Sequence, residues 1–149
     1  MSDKGRYAHA CNGKTGAARR HVQLTLPASG QPVRLARQVA REVLTAWQLC
    51  HVEETATLLV SELVTNAIRH ARSTDTVTLD LEAGRTRLWI EVYRCRPGLA
   101  VPRTAGEFDP SDFGSVLVES LADRSGVRES MAGTTAWAEI EIEPGPLAL

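Results

Sequence analysis

Leu58-Leu59-Val60-Ser61-Glu62-Leu63-Val64-Thr65-Asn66-Ala67-Ile68-Arg69-His70-Ala71 is the stretch whose reading decides the fold. Its apolar residues Leu59, Val60, Leu63, Val64, Ala67, Ile68 and Ala71 recur at i, i+3, i+4 and i+7, the spacing of a helix with one side against a core. Residues four apart stack along a helix surface, so Glu62, Asn66 and His70 form a ladder of carboxylate, carboxamide and imidazole on one edge. Such an edge suits a metal and a phosphate. Periodicity alone favours the plainer reading, a solvated outer face. Asn66 argues the other way: in a helix interior it costs up to about 0.7 kcal/mol relative to alanine, which asks for a compensating role.

Working outward, Val52-Glu53-Glu54 sets carboxylates at the positive end of this helix, which is expected to run to about Arg72. Before it, Pro32 suits a first helical turn, and Val33, Ala36, Val39, Ala40, Val43, Leu44 and Trp47 mark one face, with Arg34, Arg37, Arg41 and Glu42 outward. Gln48 to His51 makes the bend. Val22-Gln23-Leu24-Thr25-Leu26 alternates as a strand and stops at Pro27. After the ladder helix, Thr76 to Glu82 and Arg87 to Tyr93 alternate around Ala83-Gly84-Arg85-Thr86, an antiparallel hairpin. Between Cys95 and Phe113 periodicity vanishes in a loop of lid-like length. Gly114 to Ala122 is helical again, and Gly126 to Arg128 and Thr134 to Ile142 close the chain as two strands turning at Met131-Ala132-Gly133.

The 149 residues, 43% of them hydrophobic, suit one domain over residues 21–149. Residues 1–20 are polar, basic and glycine-rich and are expected to be a disordered tail. Asn12-Gly13-Lys14-Thr15 imitates the end of a phosphate-binding loop, but Ala8 stands where the motif needs glycine. A net charge of -1 disfavours nucleic acid or an anionic membrane as partner. Cys11, Cys50 and Cys95 are odd in number and widely spaced, so neither a disulfide framework nor a zinc site is indicated. No apolar run approaches the ~20 residues of a membrane span, and the expected location is the cytoplasm. Basic charge carried almost wholly by arginine, with abundant alanine, fits a GC-rich bacterial source.

Leu59 to Ala71 resembles the N-box of histidine-kinase-like (GHKL) ATPases, and more narrowly that of the stand-alone anti-sigma-factor serine kinases and their actinobacterial relatives. The likeness runs from about Val22 to Ile142, through Leu117-Val118-Glu119-Ser120-Leu121-Ala122-Asp123 and Trp137-Ala138. It implies an α+β Bergerat fold: a two-layer sandwich whose mixed, mostly antiparallel sheet carries helices on one face, with ATP and Mg2+ held between that face and the lid. On that template Asn66 binds the magnesium, Glu62 is the catalytic residue that orients or deprotonates the attacking group, and Arg69 or His70 lies near the phosphates. The nucleotide-contacting set also takes in Arg94, Gly98, Gly114 and Thr135. The implied partners are a sigma factor, an anti-anti-sigma protein and a second copy of the chain.

Two positions depart from the family pattern. Val92-Tyr93-Arg94-Cys95-Arg96-Pro97 has Arg94 where Val-x-Asp-x-x-Pro supplies the aspartate that accepts a hydrogen bond from the adenine amino group. Arginine has no acceptor. Asp112-Phe113-Gly114 replaces a phosphate-cradling Gly-x-Gly, leaving only Gly114. Arg94 is then either an exposed strand-end residue without a role or a contact for a partner. Two functions stay open: an ATP-dependent protein serine kinase, or a regulator that keeps the partner-binding scaffold with weakened or lost ATP binding. The second is favoured, with Arg34, Arg37 and Arg41 as a basic face for an acidic partner or as an ordinary solvated surface.

Overall fold

The computed structural model describes residues 19–28, 30–72, 74–95 and 116–144. In chain order these form β1 (Arg20–Pro27), α1 (Pro32–Ala46), a single 3-10 turn (Cys50–Val52), α2 (Glu53–Arg69), β2 (Thr76–Ala83), β3 (Arg87–Cys95), α3 (Val116–Leu121), β4 (Arg124–Ser130) and β5 (Gly133–Glu141). Arg20, assigned to the tail by composition, already opens β1. The sheet has five strands in the order β1-β2-β3-β5-β4. Every described pairing is antiparallel, so the parallel component of a mixed sheet is not found among these strands.

Alternation decides which face the helices cover. Leu24 and Leu26 on β1, Val77, Leu79 and Leu81 on β2, Leu88, Ile90 and Val92 on β3, and Ala136, Ala138 and Ile140 on β5 are all buried. Against them pack Leu59, Val60, Leu63 and Val64 of α2, each no more than 1% exposed, and Ala36, Val39, Ala40, Val43 and Leu44 of α1. α2 lies against β2, β3 and β5, and α1 against α2 and β1. The result is an α+β two-layer molecule with its core between the helices and one sheet face. Arg34, Arg37 and Arg41 are exposed, as their outward positions on α1 require.

The other sheet face is polar with one aromatic pair. Trp89 and Trp137 stack at 4.7 Å between centroids and 11° between planes. Trp89 Nε1 donates to Glu91 at 2.8 Å, and Arg128 reaches Glu91 at 3.6 Å. Glu139 accepts from Arg87 at 3.0 Å, with Arg124 at 3.8 Å. His21 and Gln23 both meet Asp80. Burial pushes the Tyr93 phenol above its ordinary pKa, and a hydrogen bond with Cys95 adds to the shift.

The bend after α1 is a Schellman turn. Gln48 N–H donates to Thr45 O at 3.1 Å and Leu49 N–H to Leu44 O at 2.8 Å, which satisfies the last carbonyls of the helix. Leu44 and Leu49, the two ends of that motif, are both buried. Gln48 takes the left-handed conformation, at φ 59°, where glycine is the usual residue. Gln48→Gly removes the crowding of a β-carbon there but makes the unfolded chain more flexible. The expected net effect is a stabilisation of about 0.5 kcal/mol, read as a higher urea midpoint at unchanged slope.

Candidate functional site

Buried polar groups locate the site, because each needs a reason to leave water. Among the described residues these are Thr57, Asn66, Asp75, Arg94, Thr134 and Glu139. Thr57 donates to Glu53 O one helical turn back, and Glu139 belongs to the ion cluster on the outer face. The other four converge on one end of the molecule. A short connection leads from the last turn of α2, which carries Asn66, to Asp75 and the start of β2. Val77 of β2 is the partner of Arg94 near the end of β3, and Arg94 is the partner of Thr134 near the start of β5. The opposite end of the same face is apolar, with Leu81, Ala83, Leu88 and Ile140.

Asn66 is 4% exposed, so the solvated-face reading fails at this position. Its cost as a helix residue is borne at a buried place. Glu62, one turn earlier, is partly exposed. The third rung of the ladder is not on the helix: α2 ends at Arg69 rather than about Arg72, and His70 is its cap, at φ -105° and ψ 2°. The cause is a competing set of hydrogen bonds. Ala71 N–H takes the Ile68 carbonyl at 3.0 Å, and Arg72 N–H goes to Asp75 Oδ2 at 2.8 Å, so the i+4 ladder stops. Arg69 is exposed and His70 half-buried.

Arg94 is 1% exposed and shares the helix-facing side of β3 with Leu88, Ile90 and Val92. It is therefore not the exposed strand-end residue that one sequence reading allowed. Its Nη2 donates to Thr134 Oγ1 at 3.5 Å. Thr135 is not brought together with these residues. It pairs with Tyr93 and Arg128 on the outer face, away from Asn66, whereas buried Thr134 faces the helices. In a strand a shift of one residue changes the face. Parity carries this signal: Thr134 is in phase with Ala136, Ala138 and Ile140. Asp75, absent from the sequence-derived set, is likewise in phase with Val77, Leu79 and Leu81. Gly98, Gly114, Asp112 and the proposed lid lie outside the described residues.

The donor set fits one part of a magnesium nucleotide and not another. The buried carboxamide of Asn66 offers magnesium an oxygen, and this cation typically takes one or two ligands from protein and the rest from phosphate and water. Among the described residues no group of three or more His, Cys, Asp or Glu could hold a metal alone. At Arg94, where the family template puts the base, the guanidinium carries five N–H donors and no acceptor of its own for an adenine amino group. No helix among the described residues is long and apolar enough to cross a membrane. A family model described as a histidine kinase-like ATPase domain matches residues 26–140, from the last two residues of β1 through all but the last residue of β5. No curated protein matches the chain.

Proposed function

The chain belongs to the histidine kinase-like ATPase family, and from that premise we propose that it is a regulatory protein of the anti-sigma-factor type. It works by binding a sigma factor or an anti-anti-sigma protein, with ATP binding weakened or lost. The observation that carries this reading is the burial of Arg94 on the helix-facing side of the sheet. An adenine amino donor left unpaired beside this cation costs on the order of 1 to 3 kcal/mol, roughly tenfold to a hundredfold in affinity. Asn66, and by the family template Glu62, keep the phosphate and metal edge. That combination supports an inherited scaffold whose base-reading wall has changed sign.

Calorimetric titration of Mg-ATP into the purified chain, with Arg94→Asp alongside, tests it. The expected outcome is no saturable heat at micromolar concentrations for the unaltered chain and at least a tenfold gain for the variant. Micromolar binding by the unaltered chain would sink the weakened-site reading and favour the alternative, an active serine kinase with Glu62 as its catalytic carboxylate. That alternative makes its own demand: radiolabel must pass from ATP to a cognate anti-anti-sigma protein, and Glu62→Gln must abolish the transfer while leaving the protein complex intact.

A further inference from the structure

The sheet face away from the helices is covered by no described element, yet it holds two half-buried tryptophans. Trp137 fills the space beside Gly126, where a β-carbon would stand 2.8 to 2.9 Å from three atoms of its ring, and it stacks on Trp89 at 4.7 Å. Strands β3, β5 and β4 thus share one aromatic block. Partly exposed tryptophan on such a face is the composition of an interface. The Trp89 indole N–H goes to Glu91, but that of Trp137 donates to no described residue.

Charge on this face is divided by strand. β4 contributes Arg124 and Arg128, each with its side chain 66% exposed, and β2 contributes Asp80 and Glu82. The arginines stand 3.8 and 3.6 Å from Glu139 and Glu91, beyond hydrogen-bonding distance, so their donors can serve a partner. The strand registers align Glu82, Trp89, Glu139 and Arg124 in one row across the sheet, and Glu91 with Trp137 in the next. From this pattern we infer that two copies of the chain associate through this face, about a two-fold axis parallel to the strands and between β3 and β5. That axis lays β4 of each copy over β2 of the other, so Arg124 meets Glu82 and the Trp137 N–H meets Glu91. An axis across the strands would set Arg124 against Arg128, like against like. The overlap takes in four strands of seven to nine residues. It measures roughly 26 Å by 19 Å, and side-chain relief takes the area buried on both copies past roughly 1,000 Å2, enough for a weak specific interface. No residue of the Asn66 end takes part, so this association is independent of whether ATP binds.

Sedimentation velocity of the whole chain without nucleotide, over roughly 1 to 200 μM, tests it. A reversible equilibrium of monomer and dimer is expected. Arg124→Glu and Glu82→Arg should each weaken the dimer at least about tenfold, because symmetry repeats every contact. The double variant, with the charges exchanged, should restore it. Within one copy the two positions are three strands apart, roughly 14 Å, too far to repair each other directly. Acrylamide quenching of the unaltered chain's tryptophans should fall as the dimer forms. A monomer at every concentration, or a dimer indifferent to both charge reversals, would overturn the inference.

Discussion

Gly133→Ala should destabilise the protein by about 3 kcal/mol or more, the largest effect expected of an added methyl at any of the described glycines. Gly133 opens β5 opposite Cys95, and a β-carbon built on it would overlap the carbonyl oxygen of Arg94 and stand 3.3 Å from the Cα of Cys95. Both neighbours are backbone, which cannot rotate out of the way as a side-chain tip can. Its φ is not in the left-handed region, so crowding rather than torsion is the cause. β5 would have to lift from β3 where Arg94 and Thr134 face each other. The melting temperature should fall by on the order of 10 °C, and any nucleotide affinity should be lost with it. A variant that melts within a degree or two of the parent would show that the two strands do not approach this closely.

Leu63→Ala is the second large effect, at about 2 to 5 kcal/mol, from lost burial and the cavity left behind. Leu63 is 1% exposed at the middle of α2, between Glu62 and the turn that carries Asn66. The comparison that makes the measurement specific is Leu58→Ala on the same helix. Leu58 is 42% exposed, so its truncation should change stability by no more than about 0.5 kcal/mol. Urea titrations of the two variants should differ in midpoint but not in slope. Similar losses for both would mean that α2 is buried on a different face from the one its periodicity marks.

Much of this architecture is legible in the residues. The order of one strand, two helices, a hairpin, a third helix and a final hairpin follows from apolar spacing, because a period of 3.6 and a period of 2 bury different residues. Element ends are less legible. Arg69 to Asp75 is locally compatible with more helix, and the helix stops because an aspartate three residues ahead captures the Arg72 amide. The site is legible in its types and less so in its geometry. Asn66 is marked by its poor fit to a helix and Arg94 by its departure from the family pattern. That Arg94 faces inward instead of outward depends on its phase with Val92 and Ile90, and the choice between Thr134 and Thr135 depends on one step of register. His70 belongs to the edge by counting and leaves it by hydrogen bonding.

The strand order has a consequence for the way the chain is made. Among the described residues β5 is the last strand in sequence, yet it lies between β3 and β4, and β4 pairs with no other described strand. A growing chain that has reached residue 95 already holds three strands and both long helices, but β3 is then a bare edge with its amides and carbonyls unpaired. Such an edge invites pairing with the wrong chain until its proper neighbour arrives. The contacts that end this interval join residues about forty to fifty positions apart, from Cys95 with Gly133 to Arg87 with Glu141. Arg94 thus acquires Thr134 only as synthesis nears the end of the domain, so a prematurely terminated product would carry the helix edge without the wall opposite it.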